Sequence, residues 1–235
     1  MENMASSFPA LFFQQVDAQG DRVALRRKEY GIWNRITWNE YGQRVREASA
    51  GLLAMGLEPA GRVAILGDNR PEWLICNLAA MSIGCATCGV YSTNAPEQVA
   101  YVVGHSESAV LFVENEEQVD KVLQVESELN LKKVIVWDPK GLWGFSHENI
   151  IFYDEFMEQG RNYLQAHPGC ISGRMADIDS EDIAMIIYTS GTTGRPKGAM
   201  ISHHNILTLT RSFTSAIAAY PNDEILSFLP LAHIY

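Results

Sequence analysis

Cysteine, basic charge and long apolar runs are all scarce in this chain. Its four cysteines, Cys76, Cys85, Cys88 and Cys170, do not suggest a disulfide framework in 235 residues. A reducing, cytoplasmic setting is therefore expected. Lys and Arg number 18 against 28 Asp and Glu, a net charge of -10. That balance argues against nucleic acid as a partner, since binding a phosphate backbone wants a basic face. It also repels ATP and similar anions at long range, so any nucleotide site must be basic locally. No apolar run reaches the length of a membrane span. Residues 1–7 lack the basic region and apolar stretch of a secretory signal. Internal repeats and low-complexity segments are absent.

What is present fits a soluble globular protein with a proper core, either one large domain or two small ones: 47% of residues are hydrophobic and 20% charged. Residues 9–19 read as a helix. Residues 23–28 and 32–37 read as two strands of a hairpin joined at Tyr30 and Gly31. Thr37 and Glu40 have the spacing of a capping box for a helix running to about Met55. A regular beat follows. Strands are expected at 62–66, 86–90, 109–113, 133–137 and 183–189, and helices at 71–83, 96–105, 116–128 and 152–165. Short apolar strands alternating with helices predict an α/β fold, with mainly parallel sheets flanked by helices on both faces and an added antiparallel hairpin. Residues 167–182 read as a polar linker. Residues 198–201 read as a returning strand, followed by a helix to about Tyr220 and a strand at 224–228.

The most informative stretch is Tyr188-Thr189-Ser190-Gly191-Thr192-Thr193-Gly194-Arg195-Pro196-Lys197-Gly198. Glycines let a backbone turn sharply and approach a ligand closely. Consecutive backbone N–H groups in such a turn make an anion-binding concavity. The hydroxyls add donors, and Lys197 adds a charge suited to phosphate. The spacing excludes a Walker loop, because Gly191 and Gly194 are three apart and Pro196 precedes Lys197. A dinucleotide-binding glycine pattern is absent too. Composition alone leaves two readings open, a polyphosphate cradle and an ordinary Gly/Thr hairpin loop.

The string as a whole resembles the signature loop of the adenylate-forming superfamily, which takes in acyl-CoA synthetases, luciferases and peptide-synthetase adenylation domains. The likeness continues at Ala199-Met200-Ile201-Ser202-His203-His204-Asn205 and at Leu229-Pro230-Leu231-Ala232-His233-Ile234-Tyr235. Upstream, Gly67-Asp68-Asn69-Arg70-Pro71-Glu72-Trp73 and Gly89-Val90-Tyr91 are similar to the long-chain fatty acyl-CoA synthetase branch. The resemblance implies a two-step ligase. A fatty acid carboxylate attacks the α-phosphate of ATP to give an acyl-adenylate, and CoA then displaces AMP to leave a thioester. It also implies site residues. Thr189, Ser190, Gly191, Thr192, Thr193, Gly194 and Lys197 would hold the ATP phosphates, Thr189 would help hold Mg²⁺, and His233 would lie near the substrate carboxyl. No catalytic residue is assigned. Arg195 sits where the family varies and reads as a solvated surface charge.

Other candidates have plainer readings. Cys85 and Cys88 have C-x-x-C spacing without a second pair, and read as small core residues. Adjacent His203 and His204 point to different sides of a helix and read as a helix start rather than a metal site. Asp177, Asp179, Glu181 and Asp182 read as a solvated lead-in to a strand. Trp33, Trp38, Trp73, Trp137 and Trp143 read as packing residues.

Family members are roughly twice this length or more, given their domain sizes. The acidic Mg²⁺ partner, the adenine pocket, the ribose-binding aspartate and the C-terminal domain with its catalytic lysine have no counterpart here. The expectation is an incomplete N-terminal AMP-binding domain over residues 1–235, inactive as a ligase on its own. Its partners would be fatty acid, ATP and CoA, without nucleic acid or a transmembrane segment. Peripheral contact at the inner membrane face and a homodimer are both compatible with this reading. The alternatives are part of another adenylate-former, acting on an aryl or amino acid or as a fatty acyl-AMP ligase, and a truncated, non-catalytic nucleotide-binding module.

Overall fold

The computed structural model describes residues 5–189, 194–218, 220 and 222–233. Helix α1 (Phe8–Gln19) precedes a two-stranded antiparallel hairpin, β1 (Val23–Glu29) and β2 (Ile32–Thr37). Thr37 then starts α2 (Trp38–Ala54) with a capping box: its hydroxyl accepts from the Glu40 N–H, and the Glu40 carboxylate accepts from the Thr37 N–H.

From β3 (Arg62–Leu66) the chain alternates through α3 (Pro71–Ser82), β4 (Ala86–Val90), α4 (Pro96–His105), β5 (Val110–Val113), α5 (Glu116–Gln124) and β6 (Lys133–Val136). Then come β7 (Ile150–Phe152), α6 (Tyr153–Ala166), α7 (Cys170–Ala176), β8 (Ile183–Thr189), β9 (Lys197–Ser202) and α8 (His203–Ala216). Pro71 and Pro96 sit in the first turns of α3 and α4, where a missing N–H leaves no helical bond unmade.

Strands β3 to β9 form one sheet in the order β7-β6-β5-β3-β4-β8-β9, parallel except for β9, which returns antiparallel to β8. Side chains alternate across it with period two. Val63, Ile65, Val110, Phe112 and Ile135 pack toward α1–α3, α6 and α7, whereas Ala64, Leu66, Leu111, Val113, Val134 and Val136 pack toward α4 and α5. Both faces are therefore covered, as expected for a parallel sheet. Each of the Val, Leu, Ile and Phe side chains among them, fully buried, contributes about 1.5–3 kcal/mol. On the first face, α2 and α6 approach closely through glycine. A Cβ on Gly160 would stand 2.0 Å from the Glu47 carbonyl oxygen, and one on Gly51 would stand 2.5 Å from the Phe156 ring.

The structure corrects several expectations. Residues 167–182 are not a plain linker, because α7 lies within them and buries Ile171 in the core. The helix expected over 116–128 ends at Gln124 and gives way to a short 3-10 turn, Glu126–Glu128. Helix α8 stops at Ala216, short of Tyr220. No strand forms over 224–228; Ile225, Leu226 and Phe228 point outward, and no neighbouring strand pairs with them. Trp33 and Trp143 are not packing residues; they are 53% and 88% exposed.

Candidate functional site

The site forms at the carboxyl ends of β3, β4 and β8, the edge where open parallel sheets bind ligands. Strand β8 buries Ala184, Ile186, Ile187 and Tyr188 and emerges into solvent at Thr189. In the β8–β9 ladder Thr189 is paired with Lys197 and Tyr188 with Gly198. The two ends of the Gly/Thr/Lys loop therefore stand opposite each other, and both Thr189 and Lys197 are exposed. Gly194 has φ of 105°, a conformation that a side chain would strain. Ser190, Gly191, Thr192 and Thr193, four of the expected phosphate-binding residues, lie outside the described residues.

Helix α4 flanks both arms of the loop. The Tyr101 hydroxyl donates to the Pro196 carbonyl at 2.8 Å, and the Arg195 guanidinium lies 5.2 Å from the Tyr101 ring centroid. One turn later, His105 Nδ1 and the Tyr188 hydroxyl are 2.7 Å apart. Arg195, read from the sequence as a solvated charge, is exposed but also stacked on this ring.

The third wall comes from the last described segment, held down by one side chain. The Asn69 amide donates to the Ser227 carbonyl and hydroxyl, both at 3.2 Å, and to the Leu229 carbonyl at 2.7 Å; its oxygen accepts from the Leu231 N–H at 3.0 Å. The turn carrying Asn69 is itself fixed by charge. Glu114 is buried, pairs with Arg70 and accepts from the Asp68 N–H at 2.7 Å, while Arg70 also reaches Asp138 at 3.3 Å. A carboxylate at this depth is tolerated because it is paired and hydrogen-bonded. Further along the segment, Ala232 rests on Gly89.

His233 is thereby brought to the loop. An open cleft of about 740 Å³ is lined by Tyr91, Tyr101, Tyr188, Thr189, Arg195, Pro196 and His233, with Glu97 and Glu128 also at its walls. Thr189 and His233, far apart in sequence, share one cavity. Sequence reasoning missed Tyr101 and His105, which stand in no motif. It quoted Asn69 only as part of a family string.

The remaining candidates carry no chemistry. Among the described residues no group of three or more His, Cys, Asp or Glu could hold a metal ion. His203 is buried at the start of α8, and its Nδ1 accepts from the Phe8 N–H at 3.4 Å. Cys85 and Cys88 are core residues, with burial pushing their thiols up to about 11 and about 12. A second cleft, about 480 Å³, contains Arg62 and Arg174, but these pair with Glu107 and Glu58 at 2.5 and 2.7 Å. No helix among the described residues is long and apolar enough to cross a membrane.

A mainly parallel sheet covered on both faces, with a Gly/Thr/Lys loop at its carboxyl edge, defines an α/β protein of the ligand-binding open-sheet class. The chain belongs to the AMP-binding enzyme family, which matches residues 12–235. It is 34% identical over 229 residues to the long-chain-fatty-acid–CoA ligase ACSBG2 of Xenopus laevis, covering 95% of this chain and 30% of that protein. To the human ACSBG2 ligase it is 34% identical over 230 residues, covering 97% of this chain and 34% of that one. The crystal structure of ATP-bound MatB from Rhodopseudomonas palustris has the same fold, with a TM-score of 0.76 at 22% identity, over 98% of this chain and 41% of that one. The chain thus spans about a third of the length of the curated relatives it matches.

Proposed function

We propose that this chain is the phosphate-binding, N-terminal part of the AMP-binding domain of an AMP-forming long-chain fatty acid–CoA ligase. The observation that carries the reading is the cleft in which Thr189, at one end of the loop, meets His233, with Lys197 opposite Thr189 in the ladder. The reaction brings a carboxylate against a triphosphate, and like charges must be offset before the α-phosphate can be attacked. In a chain of net charge -10 the loop supplies the offset locally. Lys197 and the backbone donors around Gly191, Thr192, Thr193 and Gly194 would hold the phosphates, with the hydroxyls of Ser190 and Thr189 adding donors. His233 would orient the fatty acid carboxyl beside them.

The residues also fit a magnesium ion. Mg²⁺ keeps several waters and takes few protein ligands beside substrate phosphates, and Thr189 offers one exposed hydroxyl at the strand end. When bound, the ion would neutralise phosphate charge. CoA enters the second step, in which its thiol sulfur forms the thioester and AMP leaves.

The test is isothermal titration of the chain with ATP and Mg²⁺. Binding that is lost in Lys197→Ala is the expected result. Binding that is absent, or indifferent to Lys197→Ala, would overturn the assignment.

A further inference from the structure

We infer that Tyr101 and His105 of α4 are positioning residues that fix the two arms of the phosphate loop. The inference rests on the reading of residues 189–197 as that loop. Tyr101 reaches the return arm twice. Its hydroxyl donates to the Pro196 carbonyl at 2.8 Å, and its ring lies 5.2 Å from the Arg195 guanidinium. Proline lacks an N–H and so cannot add a ladder bond of its own from that residue. The Tyr101 hydroxyl supplies a fixed point just before β9 begins. His105 reaches the outgoing arm through the Tyr188 hydroxyl at 2.7 Å. Burial pushes the Tyr188 phenol up to about 12, so it keeps its proton at neutral pH, and its hydroxyl donates to or accepts from His105 Nδ1 according to the imidazole tautomer.

Tyr101 and His105 are four apart, so they stand on one face of α4, one turn from each other. The rings of Tyr101, His105 and Tyr188 also contact one another edge-on or tilted, with centroids 5.3 to 6.3 Å apart. One helix face therefore holds Tyr188 and Pro196 together beside the β8–β9 ladder, and with them the mouth at which Thr189 lines the cleft and Lys197 stands opposite it in the ladder. Positioning of this kind holds donors in place before the ligand arrives, so it acts on affinity more than on folding.

The experiment combines titration of the full chain with ATP and Mg²⁺ and amide hydrogen exchange at Lys197 and Gly198. Tyr101→Phe removes only the hydroxyl and keeps the ring beneath Arg195. His105→Leu removes the hydrogen-bonding partner of the Tyr188 hydroxyl, and His105→Asn restores a polar group near the Nδ1 position. Loss of one hydrogen bond should weaken ATP binding about three- to tenfold. Tyr101→Phe and His105→Leu are expected to show that loss, faster exchange at both amides and at most a small fall in the global unfolding midpoint, with His105→Asn close to the wild type. Wild-type affinity and exchange in Tyr101→Phe and His105→Leu, with Lys197→Ala still inactive in binding, would overturn the positioning role and leave the phosphate loop standing. If the wild type binds no ATP, the loop reading falls. The exchange rates then decide whether α4 fixes the arms: faster exchange in the variants supports it, and unchanged exchange refutes it.

Discussion

Gly89 lies directly against Ala232: a Cβ built on Gly89 would stand 2.6 Å from the Ala232 Cα and 3.1 Å from its carbonyl oxygen. The obstructing atoms are backbone, so they cannot rotate away. This contact seats the segment that carries His233 on the end of β4, and the Asn69 amide clamps the same segment from the side. Gly89→Ala should therefore push residues 230–233 off the sheet at a stability cost of about 1–3 kcal/mol. Urea denaturation measures the cost, and the His233 ring resonances report the displacement. Unmoved resonances would mean that the segment does not rest there.

Two helix glycines should respond oppositely to the same substitution. Gly160 of α6 has the Glu47 carbonyl oxygen 2.0 Å from its would-be Cβ, whereas Gly104 of α4 has nothing within 4 Å. Gly160→Ala must part α6 from α2 and uncover core around Phe156, lowering stability by about 1–3 kcal/mol. Gly104→Ala meets no obstacle and removes backbone entropy from the unfolded chain, raising stability by about 0.4–1 kcal/mol. Thermal denaturation of the pair checks both signs in one experiment.

A third prediction concerns acid. His203 is held below the ordinary histidine value of 6.5, chiefly by burial, with Asp182 opposing the shift. As pH falls, the unfolded chain takes up a proton at this residue before the folded chain does. Stability from this group is complete above about pH 6.5 and declines as pH drops toward the folded value. His203→Asn keeps an acceptor for the Phe8 N–H and removes the titration. The wild type should lose stability relative to this variant in urea titrations as pH is lowered from 7.5 to 5.5, and the two should run parallel at higher pH. Parallel curves throughout would remove His203 as the source.

Much of the fold was legible because its signals are local. Apolar runs such as Val63 to Leu66, prolines at helix starts and the Thr37–Glu40 capping pair each act within a few residues. The misreadings fall where the deciding partner is distant. Residues 224–228 have the apolar character of a strand, but a strand needs a neighbour, and here the backbone nearby is held by the Asn69 side chain instead. Helix α7 is only seven residues long, and what keeps Ile171 in place is the core it enters. Trp143 looked like packing because of its type, but it sits in a loop that no element covers. The site divides in the same way. The role proposed for the loop comes from one string, whereas the supports given by Tyr101, His105 and Asn69 span 83 to 162 residues of sequence.

The last prediction separates the two half-reactions. Lys197 faces Thr189 across the ladder, on the loop assigned to the ATP phosphates. Those phosphates leave as pyrophosphate when the acyl-adenylate forms, so a lysine that holds them has no ligand in the second step. In a ligase that contains this chain, Lys197→Ala should slow fatty-acid-dependent pyrophosphate release by about 10²–10³-fold, the usual loss for one electrostatic contact to developing charge. Thioester formation from supplied acyl-adenylate and CoA should be nearly unchanged. Rapid-quench measurement of each step makes the comparison. Equal losses would place Lys197 on a group common to both steps, such as the α-phosphate carried over into the adenylate, and would remove it from the pyrophosphate.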